Sequence, residues 1–221
     1  MKLVGIRLVC VVIGYAFGLF QTAYFLGKAK GIDIRQYGSG NSGTTNAVRV
    51  LGTKAGLLVM VGDILKCIIV VWIVRLTFGA SYPDMKYLLC LYAGAGAVLG
   101  HNYPFYMGFR GGKGIAATGG LILSFHPHFI VVGVLAFFGS FLLTHYVSLG
   151  SLMVYAFFMI QMVVEGQLGV FGNTSQAVLN EMYIVTAFLT VMAYWKHRQN
   201  IIRLIHGEER KTYLTKKNKL D

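Results

Sequence analysis

Seven apolar stretches separated by short polar connections dominate the 221-residue chain. A helix that crosses a bilayer needs about 20 mostly apolar residues, because lipid offers the backbone no hydrogen bonds. The stretches cover residues 3–26, 55–78, 86–103, 115–125, 129–144, 149–164 and 177–195. The first carries Lys2 ahead of it as a signal peptide would. It is long and ends in no clean small-x-small cleavage site, so it reads as a retained span. The fourth, residues 115–125, is too short to cross straight. It either crosses where the protein is locally thin or forms a re-entrant half-span held by neighbouring protein. The expected fold is an all-α integral membrane protein of about seven transmembrane helices, one short, in a single polytopic domain over residues 1–221. Composition agrees: 13% of residues are charged and mean hydropathy is +0.62, against roughly 25% charged in ordinary globular chains.

The few charges are unevenly placed. If all seven stretches cross, residues 27–54, 105–114, 145–148 and the tail from 196 share one side, and that side holds 15 of the 20 Lys and Arg residues. Basic residues concentrate on the cytoplasmic side of bacterial membranes. The N-terminus is therefore expected outside and the C-terminus in the cytoplasm, with 196–221 a basic cytoplasmic tail. The formal net charge of +12 suits nucleic acid, anionic lipid or an anionic substrate. With no soluble basic domain left over, no nucleic-acid partner is expected, and anionic membrane lipids are. Cys10, Cys67 and Cys90 lie inside apolar runs with no metal-ligand spacing, and read as small buried hydrophobes.

Four polar constellations interrupt the apolar runs. Residues 38–49 pack Ser39, Gly40, Asn41, Asn46 and Arg49 among glycines. Successive backbone N–H groups in such a loop make an anion-binding nest, and Arg49 adds a bidentate phosphate donor. The same stretch also reads as a plain Gly/Ser/Asn linker. Residues 100–114 hold His101, Arg110, Lys113 and Gly114. This segment resembles a P-loop only superficially: Met107 stands where the first glycine belongs, and Gly114 replaces the Mg²⁺-binding Ser or Thr. A phosphate-binding helix N-terminus near Gly114 survives that test, while His101 also reads as a structural hydrogen bonder. Ser148 and Ser151, at the connection between the fifth and sixth stretches, read as donors or as helix caps. In residues 197–209, His197, Asn200 and, less directly, Arg203 share a helix face. That segment also reads as a basic lipid anchor.

Together the first, second and fourth constellations resemble the bacterial acyl-phosphate:glycerol-3-phosphate acyltransferases, the PlsY family. The likeness rests on residues 38–49, 100–114 and 197–203, in order and spacing, and covers nearly the whole chain. Ser42-Gly-Thr44 departs from the apolar residue and Gly-Ala expected there, and the polar stretch 165–176 is longer than expected. The resemblance implies transfer of an acyl group from acyl phosphate to the 1-hydroxyl of sn-glycerol 3-phosphate. The products would be lysophosphatidic acid and phosphate, in the first step of phospholipid synthesis at the bacterial inner membrane, with the active site on its cytoplasmic face. In that reading Arg49 and Lys113 neutralise phosphate, with Gly40, Asn41, His101, Gly114 and Arg203 in the binding shell. Ser39, Asn46 and Ser148 or Ser151 orient substrate. His197, its orientation fixed by Asn200, accepts a hydrogen bond or the proton from the attacking hydroxyl; alternatively a substrate phosphate takes the proton. No cofactor or metal is expected. None of the six histidines has an Asp five residues later, which argues against the His-x4-Asp enzymes that use acyl-CoA or acyl carrier protein. The rival reading is an organophosphate transporter or channel lined by Asp63, Lys66 and Arg75. It lacks the two related halves with paired broken helices that such transporters show.

Overall fold

A computed structural model describes residues 2–212; Lys216, Lys217 and Lys219 of the basic tail lie outside the described residues. Ten α-helices follow in order among them: α1 (Lys2–Gly18), α2 (Thr22–Ala29), α3 (Thr44–Leu51), α4 (Thr53–Phe78), α5 (Lys86–Asn102), α6 (Ile115–Phe125), α7 (Pro127–Thr144), α8 (Val147–Gln167), α9 (Gln176–Lys196) and α10 (Arg198–Ile205). Five segments are long and apolar enough to cross a membrane: 3–29, α4, α7, α8 and α9.

Helix α5 is the hub, packed by α1, α4, α6 and α9. Glycines set how closely α1 approaches it. A Cβ on Gly14 would stand 2.0 Å from the Ala93 carbonyl oxygen, and one on Gly96 would stand 2.3 Å from that of Val11. Gly18 and Gly100 repeat the arrangement one turn on, at 2.3 Å from the carbonyls of Ala97 and Tyr15. Lipid supplies little hydrophobic drive between helices, so such close backbone contact carries the packing.

The first apolar stretch is broken between Gly18 and Thr22, which hydropathy averaging hid. The break frees backbone carbonyls that lipid could not satisfy. Fully buried Gln21 donates to the carbonyls of Gly18, Gly100 and His101 at 3.2, 3.3 and 3.0 Å. Lys66 donates to those of Gly18 and Phe20 at 3.3 and 2.7 Å. Its ammonium also lies 2.9 Å from both Asp63 Oδ1 and His101 Nδ1. Asp63 and Lys66 are thus a closed internal knot holding the break, and Arg75 donates to the carbonyls of Ser124 and Phe125 at the end of α6. These partners are structural ones, which removes the basis for a conducting path along α4.

The short helix α6 begins below the α4 N-terminus. At its middle a Cβ on Gly120 would meet the Ile64 carbonyl at 2.3 Å, about 16 Å along α4 at 1.5 Å per residue, so its first residue lies about 9 Å along α4. It ends at Arg75, close to the far end of α4. Its 11 residues therefore run from a recessed floor to the opposite end of the bundle. Helices α1 and α9 begin at that opposite end, where Arg7 forks Glu181 at 2.5 and 2.7 Å and Tyr92 donates to the same carboxylate.

Candidate active site

The thirteen residues given a role in the acyltransferase reading above all line one cavity of about 460 Å³ at the α6 N-terminus, and Arg110 of the same loop does not. Three separate parts of the chain build it. The loop 38–43 turns through left-handed glycines, Gly38 at φ 63° and Gly40 at φ 70°. Buried Asn46 organises that loop: its Oδ1 accepts from Ser39 N at 2.8 Å, and its Nδ2 donates to the Ile34 and Tyr37 carbonyls at 3.2 and 3.1 Å. Asn46 thus lines the cavity with its amide already committed to the loop. Arg49, one turn further along α3, has no hydrogen-bond partner among the described residues. Burial and the nearby Arg210 disfavour its charge, a deficit that a bound anion would offset.

The glycine-rich loop before α6 lies on His101. Gly112 N donates to the His101 carbonyl at 3.0 Å, and a Cβ on Gly112 would stand 2.0 Å from His101 Nε2. With Lys66 at its Nδ1, His101 has the geometry of a floor for the loop. Gly114 caps α6 with φ 85° and no side chain, so the first-turn N–H groups at Ile115 and Ala116 open into the cavity and its dipole favours an anion there. Lys113 donates to Asn200 Oδ1. Burial lowers its pKa to about 8, with Arg203 and Arg49 adding to the effect against Glu209.

The third part is the α9–α10 junction with the start of α8. His197 is 3% exposed, and its Nδ1 lies 2.8 Å from the Ala193 carbonyl. An N–H donated there leaves Nε2 as the acceptor. Burial and Lys113 lower its pKa to about 4, so the ring is neutral at physiological pH. The expected Asn200–His197 contact does not form, because His197 sits at the break between α9 and α10 and bonds back along α9. Asn200 instead bridges Lys113 and Glu209.

Glu209 is the participant that sequence reading missed. One of its oxygens accepts from Ser148 Oγ at 2.8 Å and Asn200 Nδ2 at 2.7 Å, and the other accepts from Arg203 Nε at 2.7 Å. Burial opposes its charge, but these three hydrogen bonds prevail and hold its pKa below the usual carboxylate value. The signal was present in the chain: an acid following a left-handed Gly207 in a basic segment. Ser151 differs from Ser148. It is 1% exposed and donates to the Val147 carbonyl in its own helix at 2.8 Å. Five cations (Arg49, Lys113, Lys196, Arg203 and Arg210) face two carboxylates across the cavity, and one of these, Asp63, is already paired with Lys66.

Fold and cavity define a helical membrane protein with an anion-binding site built around a neutral imidazole. The glycerol-3-phosphate acyltransferase family model matches residues 8–207. The glycerol-3-phosphate acyltransferase of Halalkalibacterium halodurans is 40% identical over 204 residues, 91% of this chain and 93% of its own. That of Bacillus subtilis is 36% identical, over 91% and 95%. The crystal structure of PlsY, an integral membrane glycerol 3-phosphate acyltransferase, in its glycerol 3-phosphate form superposes with a TM-score of 0.78 at 31% identity, covering 94% of this chain and 96% of that one. The chain belongs to the glycerol-3-phosphate acyltransferase family.

Proposed function

We propose that this enzyme transfers a fatty acyl group from acyl phosphate to the 1-hydroxyl of sn-glycerol 3-phosphate, releasing lysophosphatidic acid and phosphate. The observation that carries this reading is a single cavity with an excess of cationic side chains, a helix N-terminus without a side-chain cap and a neutral histidine. PlsY has been solved in glycerol 3-phosphate and lysophosphatidic acid forms, which supports the same pair of ligands here.

The reaction needs no covalent enzyme intermediate, because an acyl phosphate already carries a good leaving group. The glycerol oxygen attacks the carbonyl carbon, the bond from that carbon to the phosphate oxygen breaks, and phosphate leaves with the electron pair. Arg49, Lys113 and the α6 N-terminus hold phosphate charge, with Gly40, Asn41 and Gly114 shaping the backbone around it. Arg203, Ser148 and Asn200 frame a second anion position now met by Glu209, with Ser151 lining the wall beside them. Ser39 faces the cavity from a loop set by Asn46, and His101 supports the opposite loop. Placing two reactants and their charges in this way supplies most of the catalysis required. Nε2 of His197 accepts the hydrogen bond of the attacking hydroxyl. With its pKa at about 4, His197 is a weaker base than a phosphate whose second pKa is about 6, so we assign the proton to phosphate and alignment to His197.

The chain is proposed to cross the bacterial inner membrane seven times as one domain. Its N-terminus is outside and its tail, residues 196–221, is cytoplasmic against anionic lipid. The cavity opens on the cytoplasmic face. No cofactor is required. The donor is tested by offering purified protein in detergent or lipid glycerol 3-phosphate with either acyl phosphate or acyl-CoA. Lysophosphatidic acid is expected only with acyl phosphate; turnover with acyl-CoA alone would overturn the donor assignment.

A further inference from the structure

At the end of the bundle opposite the cavity, the polar stretch 165–176, longer than the family resemblance implies, meets the α6–α7 corner. His126, His128 and Glu165 each offer a ligand atom there, all within 4.8 Å of one another. Two of these residues carry buried atoms without a hydrogen-bond partner, Nδ1 of His126 and Oε2 of Glu165. Glu165 is only 8% exposed. A buried carboxylate left half-satisfied is costly unless a cation meets it.

We propose that His126, His128 and Glu165 form a binding site for a divalent transition metal of the zinc type. Two imidazoles and a carboxylate favour such ions over Mg²⁺ or Ca²⁺, which take oxygen ligands. Bonds of about 2.0–2.1 Å in a tetrahedron place neighbouring ligand atoms roughly 3.3 Å apart. His128 Nδ1 and Glu165 Oε1 stand 3.5 Å apart. Gln161, one turn before Glu165, donates to the same Oε1 at 2.7 Å and fixes the orientation of the carboxylate. The side chain of His128 is 61% exposed, which leaves an entry path and room for water as a fourth ligand. Arg75 and Lys86 lie within electrostatic reach of His126 and moderate the affinity. A bound ion would tie the start of α7 to the end of α8 beside Phe129, Phe158 and Phe171, whose rings pack together there.

The test uses tag-free full-length protein in chelator-washed detergent. Zn²⁺ is titrated against a competing indicator, and Co²⁺ binding is followed by its d–d absorption. One equivalent of Zn²⁺ per chain is expected, with a four-coordinate Co²⁺ spectrum, a higher thermal midpoint and no response to Mg²⁺. Gln161→Ala should weaken Zn²⁺ by about tenfold, as loss of a supporting partner does. His128→Ala and Glu165→Gln should weaken it further while acyl transfer continues, since both lie far from the cavity. Exposed His128 can be removed without disturbing the core, so a folded His128→Ala protein decides the matter. Sub-stoichiometric binding, or Zn²⁺ affinity unchanged in both His128→Ala and Glu165→Gln, would overturn the site.

Discussion

His197 and Lys113 face the same cavity but must hold opposite protonation states. His197 works through a lone pair, and its pKa is lowered from 6.5 to about 4. The neutral ring is therefore present at all pH values above that and is lost only as pH falls through about 4. Lys113 works through its charge, and its pKa is lowered from 10.5 to about 8. That charge is complete at neutral pH and is lost as pH rises through about 8. Because kcat/KM reports groups of the free enzyme and free substrate, its pH profile should fall on the alkaline side at about 8. On the acid side it should fall first at about 6, where the proton-accepting phosphate titrates, and more steeply at about 4. Lys113→Arg supplies a cation that does not titrate, so whatever activity remains should lack the alkaline limb. An unchanged alkaline limb in that variant would remove Lys113 from its role. His197→Ala should lower turnover by about 10²-fold, the cost of misplacing an attacking atom that His197 aligns. Both residues stood out in the sequence by type and spacing. Glu209 did not, because an acid among Arg203, Arg210 and Lys211 reads as local charge balance until the chain folds back across Ser148.

The helices were legible where hydropathy and length agree. Residues 115–125 appear as α6 with the same bounds, and 55–78 lies within α4. The break after Gly18 was not legible, because Leu19 and Phe20 keep the window apolar and the residues satisfying it, Gln21 and Lys66, are far apart in sequence. Nor was the His126–His128–Glu165 cluster, whose third member lies a full helical hairpin beyond the other two. The closeness of α1 and α5 shows only in the pairing of Gly14 and Gly18 with Gly96 and Gly100. This pairing predicts a graded response to added side-chain volume. Gly96→Leu would drive its side chain into the Val11 carbonyl, and overpacking of this kind costs about 1–3 kcal/mol. The detergent-solubilised protein should lose several degrees of thermal midpoint, with activity falling through the displaced α5 end at His101. Gly139→Leu is the matched control, since nothing lies within 4 Å of its Cβ position. Equal midpoints for the two variants would show that close glycine packing does not hold this pair.

At the scale of the whole molecule, the charge asymmetry and the position of the cavity make the same demand. Basic side chains crowd one end, where Arg49, Lys113, Lys196 and Arg203 line the cavity. The opposite end carries the 83–85 turn, the 168–175 loop and the start of α1. An acyl chain is held by lipid and a glycerol phosphate arrives from water, so the site belongs where a recessed polar floor meets the membrane surface. The start of α6, five residues before the Gly120–Ile64 contact and so about 9 Å along α4, is such a floor. In the proposed seven-span arrangement, 11 residues would complete a crossing because the loop 103–114 covers the remaining depth inside protein. If α6 crosses, the tail and the loop 30–43 share the cytoplasm and Asp84 faces outward; if α6 turns back, Asp84 and the 168–175 loop fall on opposite sides. Cysteine labelling separates these arrangements without background, because Cys10, Cys67 and Cys90 are all 0% exposed. Exposed Asp84 and Asn173 replaced by Cys should react with a membrane-impermeant maleimide applied to intact spheroplasts. Lys30→Cys and Lys211→Cys should react only after the membrane is opened. Labelling of Asp84→Cys but not Asn173→Cys would mean that α6 is re-entrant. Labelling of Lys30→Cys in closed cells would invert the molecule and place its phosphate site outside.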